Sequence, residues 1–244
     1  MVKYNWIILT GSDHLQTTYT EATSVIEYII SHGQRMHFNA HNYIYHSGDL
    51  SNHIYVVIEG KVILHRIMED GKEFNTKLIG PRSIFGSTTL FCGRKTHTLS
   101  AKTKENATII KLPKKDFEEA ILNDEVLKYE WLLWVQNENE KHEYQIRDIY
   151  TLGKTGGFYS VLIKLANTYG VADEEGILIN VELTNHELAN FCNVTRESVN
   201  RMLSHLKKEN IVSVKHKTII IKDLNYLKNA INCDNCPLSI CRIE

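Results

Sequence analysis

The chain has 244 residues, 43% of them hydrophobic and 23% charged, with 5 cysteines, 3 prolines and a formal net charge of −1. That is long enough for two domains with cores of their own, and the composition argues against long disordered tracts. No apolar run approaches the roughly 20 residues that span a bilayer, and the opening Met1–Gly11 stretch lacks the apolar length and small-residue cleavage site of a signal peptide. A cytoplasmic protein is expected, whose cysteines serve as thiols or metal ligands and not as disulfides.

Residues 1–22 carry no readable pattern and are expected to form a leader. From Thr23 to Ser31, Val25, Ile26, Ile29 and Ile30 recur at helical spacing. Between Met36 and Leu112 the texture changes to short β-type runs: His41–Tyr45, Ile54–Ile58, Lys61–His65, Asn75–Ile79 and Ala107–Leu112. Gly48, Gly60, Gly71, Gly80, Gly86 and Gly93 punctuate them, which predicts an antiparallel barrel or roll. Cys92, beside one of these turns, is expected in a core.

From Lys114 to Tyr150 the pattern is helical. Asp116–Leu122 gives a short piece, and Asp124 can cap a longer helix in which Leu132, Val135, Asn139, His142, Ile146 and Ile149 alternate three and four apart. This is the seam of a coiled coil, with polar Asn139 and His142 setting register, and it predicts a dimer helix. The competing reading docks Leu132, Trp134 and Val135 on the roll of the same subunit. Gly153-Lys-Thr-Gly-Gly157 is expected to break the helix and act as a hinge. Phe158, Val161, Leu162, Leu165 and Tyr169 then continue as a helix, and Ile177–Val181 as a strand.

The stretch Leu183–Leu203 carries the most information. Thr184 with Glu187 forms an S/T-x-x-E capping box, and Leu188, Ala189, Phe191 and Cys192 give the helix a buried side. Asn193 sits where a tight turn needs a left-handed backbone, and Thr195 can cap a second helix. On that helix Val199, Met202, Leu203 and Leu206 share one face, leaving Arg196, Glu197, Asn200 and Arg201 outward. Arg can pair with guanine and Glu can accept from cytosine, so the pattern predicts a helix-turn-helix that reads bases. Ile211–Ile221 reads as a hairpin with Lys215, His216 and Lys217 at its tip, a wing. The local balance there is strongly basic, as phosphate contact requires.

The last residues read Cys233-Asp-Asn-Cys236-Pro-Leu-Ser-Ile-Cys241. The C-x2-C-x4-C spacing offers three thiolates, whereas structural zinc and iron–sulfur cubanes both want four ligands. From the residues alone, an iron–sulfur cluster, a zinc ion and redox-active thiols all stay open.

Gly48-Asp49, Ile54–Gly60 and Ile84-Phe-Gly86 resemble the effector roll of the cyclic-AMP receptor protein and fumarate-nitrate reductase regulator superfamily. Where its cyclic-nucleotide binders carry a Glu after Phe-Gly and later an Arg, this chain has Ser87, and Thr96 with His97, so the phosphate lacks its cation. With Leu178-Ile-Asn-Val-Glu-Leu-Thr-Asn185, Arg196–Leu203 and the C-terminal cysteines, most of the chain after Glu21 is similar to the Bacillus-type fumarate-nitrate regulators. That resemblance implies a [4Fe–4S] cluster held by Cys233, Cys236 and Cys241, with Asp148 of Ile146-Arg147-Asp148 as fourth ligand. It also implies base reading by Arg196, Glu197 and Arg201 on a palindrome with TGTGA-like half-sites.

The expectation is therefore an α+β protein. Residues 23–122 form an antiparallel β-roll effector domain, 123–152 the dimerisation helix, 153–229 a winged helix-turn-helix domain and 230–244 a cluster-binding tail. The expected function is a homodimeric, oxygen-responsive transcription regulator that binds double-stranded DNA through Thr195, Arg196, Glu197, Asn200, Arg201, Lys215 and Lys217. It recruits RNA polymerase to genes of anaerobic or nitrate respiration, and is neither an enzyme nor a membrane protein. The alternatives are the same fold with a zinc or thiol-redox tail or a small effector in the roll, and an electron-transfer protein.

Overall fold

The computed structural model describes residues 22–86, 90–93, 95–215 and 217–244. The expected leader, apart from Ala22, and the positions Ser87 and His216 lie outside the described residues. Two compact units are present. One holds the described residues up to Gln145 together with Ile243–Glu244, and the other holds Ile146–Arg242.

The first unit opens with α1 (Thr23–His32) and continues through β1 (Gln34–Phe38), β2 (Tyr43–Tyr45), β3 (His53–Glu59), β4 (Val62–Ile67), β5 (Glu73–Ile79), β6 (Ile84–Phe85), β7 (Ser100–Thr103) and β8 (Ala107–Pro113). These strands form two antiparallel sheets, ordered β1-β8-β3-β6 and β2-β7-β4-β5. β3 shows how the roll is filled. Its pleat sends Tyr55 and Val57 into a cluster with Tyr45, Phe85 and Ile109, and sends Ile54 and Val56 the other way, into a cluster with Val25, Ile29, Phe117 and Trp131. Both faces are buried, so β3 reads as a continuous apolar run without alternation.

Two glycines are required by geometry. Gly60 has φ +81 and an added Cβ would stand 2.4 Å from Asn106 O, while at Gly86, φ +78, it would stand 2.7 Å from Tyr55 Cδ2. Cys92 is exposed, not in a core as expected: Leu90 of the same turn packs against the apolar cluster and Cys92 is left outside it.

Helix α2 (Lys114–Asn123) leads into α3 (Glu125–Thr151), capped by Asp124, whose Oδ1 accepts from the Val126 and Leu127 amides at 2.8 and 3.1 Å. The start of α1 has no side-chain cap of its own. Glu130 of α3 supplies one, accepting from the Ser24 amide and hydroxyl at 2.7 Å each and from the Val25 amide at 3.2 Å. Trp131 packs edge-on against Phe117, and Val135 is partly buried against the same cluster. Val126, Tyr129, Leu132, Ile146 and Ile149 of α3 are instead exposed.

Glu138 of α3 forms ion pairs with Lys77 of β5 and with Lys141, at 2.8 Å for the latter. Burial alone would raise its pKa, but the two ammonium groups and their hydrogen bonds bring it down to about 2. A carboxylate whose folded pKa lies below the unfolded value stabilises fully above the ordinary range near 4.5, and that contribution fades as pH falls toward 2. Glu138→Gln should therefore cost roughly 3 kcal/mol at pH 7, since it leaves two half-buried lysines without their counter-charge. Urea unfolding of both proteins should show the gap narrowing at pH 3; a gap that holds constant from pH 7 to 3 refutes the ion-pair origin.

The last two residues seat on the roll, the Leu78 amide donating to Ile243 O at 3.1 Å and Ser83 Oγ to Glu244 Oε2 at 3.2 Å.

In the second unit, α4 (Gly153–Tyr169) begins where a clean break was expected. Only Leu152 separates it from α3, Gly153 takes φ +61, and Gly156 and Gly157 lie inside the helix. Packing of Phe158, Leu162, Ile163 and Leu165, all buried, outweighs the poor helix propensity of the glycines. Next come β9 (Gly170–Asp173), β10 (Gly176–Ile179), α5 (Asn185–Cys192), α6 (Arg196–Lys208), β11 (Val212–Lys215), β12 (Thr218–Ile221) and α7 (Leu224–Ala230). The strands make one antiparallel sheet in the order β11-β12-β10-β9. No helix among the described residues is long and apolar enough to cross a membrane.

Candidate functional site

The reading head is assembled from short-range instructions. Thr184 Oγ1 accepts from the Glu187 amide at 3.1 Å while Glu187 Oε2 accepts from the Thr184 amide at 2.8 Å, closing the capping box at the start of α5. Asn193 ends the helix with φ 52, in the left-handed region, and Thr195 Oγ1 takes the Ser198 amide at 3.2 Å to start α6. Val199, Leu203 and Leu206 are buried, which holds Arg196, Glu197, Asn200 and Arg201 out in solvent. Asn185 at the head of α5 donates from Nδ2 to Asn200 Oδ1 at 2.5 Å, pinning the middle of the exposed face to the preceding helix. Arg196, His186, Asn185 and Lys217 line a groove bounded by α5, α6 and the β11–β12 hairpin.

The two wing lysines differ. Lys215 donates to Glu175 Oε1 at 2.5 Å and Lys222 pairs with Glu175 Oε2 at 3.0 Å, so Lys215 is answered within the domain. Lys217 is exposed at the hairpin tip with φ +67. Glu175 was not singled out in the sequence, because one acid in Asp173-Glu-Glu175 carries no sign of its partner.

The second site lies at the end of the chain. Asp223 caps α7, and the chain then turns through Asn232 and Asn235, both at positive φ, with Asn235 inside the C-x2-C loop. The amides of Ile240 and Cys241 both donate to Pro237 O at 2.9 Å, and Asn167 of α4 donates to Cys241 O at 2.9 Å. These turns bring the Cys241 thiol to donate to Cys236 Sγ, with Cys233 near enough to act on both. Burial first, and Cys236 beside it, push the Cys241 thiol up to about 12; burial raises Cys236 too, while Arg147 and Lys164 oppose the rise. Cys192, by contrast, is pushed up to about 12 by burial alone, as befits a core thiol.

Asp148 is 6% exposed at the end of α3. Its Oδ2 accepts from Ser160 Oγ at 2.5 Å and Lys164 Nζ at 2.7 Å, and its Oδ1 from Arg147 Nη2 at 2.7 Å and Nε at 3.2 Å. Arg147 also pairs with Asp234, inside the C-x2-C loop, and so links that loop to Asp148. Burial alone would raise the Asp148 pKa, but the Lys164 charge and these hydrogen bonds outweigh it and keep the carboxyl below its ordinary value. Ser160 and Asp234 carry no sign of this role in the sequence. The available signal is Lys164 itself, which interrupts the apolar run Val161–Ala166.

Among the described residues no three His, Cys, Asp or Glu side chains converge on one metal ion. A cubane distributes its ligands over separate iron corners and so asks for a looser set than one ion. Three thiols, one ionised carboxylate and two cations to offset the resulting negative charge fit that donor chemistry.

In the roll, His97 is buried and stacks on Tyr45 with ring centroids 3.6 Å apart. Burial, then Lys114, bring its pKa down to about 4, so it is neutral near pH 7 and offers no charge to a phosphate.

Comparison with known proteins gives two domain matches, residues 35–124 to the cyclic nucleotide-binding domain and residues 159–230 to the Crp-like helix-turn-helix domain. The chain is 34% identical over 224 residues to the "Anaerobic regulatory protein" of Bacillus subtilis, covering 91% of this chain and 94% of that one. It is 26% identical over 214 residues to the "Lactate racemization regulatory protein" of Lactiplantibacillus plantarum, covering 84% and 97%. The solved structure of FixK2 from Bradyrhizobium japonicum superposes with a TM-score of 0.70 at 17% identity, covering 81% of this chain and 96% of that one, a likeness of fold.

Proposed function

The chain belongs to the Crp/Fnr family of DNA-binding transcription regulators, which are not enzymes, and from that premise we propose that it is an oxygen-responsive regulator carrying a C-terminal [4Fe–4S] cluster. The observation that carries this reading is the gathering of Cys236 and Cys241, with Cys233 close by, beside the Arg147–Asp148–Lys164 ion pairs in one unit. Cys233, Cys236, Cys241 and Asp148 would hold the cluster, which supplies sensitivity to oxygen when bound. A carboxylate is a harder ligand than thiolate, which makes Asp148 the weak corner of the set.

Regulators of this family bind DNA as dimers, and the seam of α3 through Leu132, Asn139, His142, Ile146 and Ile149, of which Leu132, Ile146 and Ile149 are exposed apolar residues, is the surface by which this chain pairs with a second copy. The dimer then presents two α6 helices to the half-sites of a TGTGA-like palindrome, through Thr195, Arg196, Glu197, Asn200 and Arg201, with Lys217 on the backbone. It acts in the cytoplasm and recruits RNA polymerase at genes of anaerobic respiration. The neutral His97 argues against a cyclic nucleotide as its effector.

Iron and sulfide analysis of protein purified without oxygen tests the reading. About four of each per subunit, lost in air together with palindrome binding, is the expected result. The hydrogen bond between Cys241 and Cys236 favours one second reading, a thiol switch in the same fold. It predicts no iron and a disulfide formed in air.

A further inference from the structure

The outward face of α6 carries one side chain that is tied to another helix. Arg196, Glu197, Asn200 and Arg201 are all exposed, and Asn200 stands one turn after Arg196, in the middle of that face. Its Oδ1 accepts from Asn185 Nδ2 at 2.5 Å. Asn185 is the first residue of α5, half-buried, and the Thr184–Glu187 capping box fixes the turn on which it stands. A primary amide has two unlike ends, an oxygen that only accepts and a nitrogen that only donates. Drawing the oxygen back toward α5 leaves the Asn200 Nδ2 hydrogens for whatever lies against α6. An untied Asn pairs with adenine through its oxygen and its nitrogen together. Asn200 cannot make that pair while its oxygen is turned to Asn185.

Resting on the reading that α6 lies on base edges, we infer that Asn185 is a positioning residue for specificity: it orients the Asn200 amide so that the nitrogen, and not the oxygen, meets the DNA. The matching base edge presents acceptors alone. In the major groove guanine offers O6 and N7 side by side, thymine offers O4, and cytosine offers only an amino donor. Asn200 therefore favours guanine and discriminates most strongly against cytosine at one base pair of each half-site. Base reading thus extends beyond α6, because a side chain of α5 that need not touch DNA sets what its partner recognises.

The test is binding of the whole chain, purified without oxygen, to duplexes covering every single-base change in its preferred site. Asn200→Ala should flatten the preference at one base pair, where the wild type favours guanine over cytosine by roughly tenfold or more, and leave the others intact. Asn185→Ala should act on the same base pair: freed to rotate, Asn200 accepts adenine as well as guanine. Asn185→Asp gives the sharpest sign. A carboxylate only accepts, so Asn200 must turn its nitrogen inward and its oxygen outward, and the preference should invert from guanine to cytosine or adenine. The added charge suits the first turn of α5 and weakens binding to every duplex alike, so it cancels in the ratio between bases. Two results overturn the inference while leaving base reading by Arg196 and Arg201 in place. One is no change at any base pair in Asn200→Ala; the other is a pair flattened in Asn200→Ala that keeps its guanine preference in both Asn185 variants. A loss by one factor on every duplex in Asn185→Ala makes Asn185 a backbone contact or a plain support, and overturns it too. Wild-type protein that prefers no duplex over another overturns the inference and base reading together.

Discussion

Cys236→Ser protein purified without oxygen should carry no more than background iron and sulfide, against about four of each per subunit in the wild type. Serine replaces a soft, readily ionised sulfur with a hard oxygen that keeps its proton, and the tail has no spare thiol to substitute. Binding to the palindrome should fall to the level seen on random DNA, a loss of about a thousandfold or more. Cys192→Ser is the control. That thiol is half-buried at the end of α5 in the reading head, and its loss should leave iron content unchanged. Full iron with normal bleaching in Cys236→Ser removes this residue from the ligand set. One zinc per subunit in the wild type, unaffected by air, removes the cluster altogether.

The second large effect belongs to the exposed face of α6. Arg201→Ala should weaken binding to the palindrome by about 1–3 kcal/mol, with the loss concentrated at one base pair of each half-site. Arg196→Ala should behave alike at a neighbouring base pair. The reason is geometric: both side chains project from a helix whose other face is anchored by Val199, Leu203 and Leu206, so truncation costs the contact without unfolding the support. Binding measured over all single-base variants of the site gives the answer. If Arg201→Ala loses the same factor on every sequence and its salt dependence drops, the residue holds phosphate and does not read bases.

What is legible in the sequence follows from the range of the interactions involved. The capping box, the left-handed Asn193 and the Thr195 cap operate over three or four residues, so the order of residues in Leu183–Leu203 is enough to specify two helices and their outward face. The roll is legible as a texture, because glycine turns recur between short apolar runs. β9 leaves no comparable trace, since Gly170-Val-Ala-Asp173 has neither alternation nor a β-branched run and owes its strand to pairing with β10. The glycines of α4 mislead for a related reason: propensity marks a break, and the packing of Phe158 and Leu162 overrules it. At the tail, the cysteines are visible by spacing. The hold of Ser160 and Lys164 on Asp148 is not, because it crosses from one helix to the next and is only specified once both have docked.

The cap on α1 has a consequence in time. Its first amides find their acceptor on Glu130, 106 residues further along the chain, and β1 pairs with β8. A ribosome emitting this protein releases α1 and β1 long before either partner exists. At roughly 5–20 residues per second the N-terminal helix waits several seconds with its leading amides in water. The roll therefore closes from its end and not from its beginning, and until α3 emerges the apolar face of Val25, Ile26 and Ile29 is the segment of the nascent chain that a chaperone would find open.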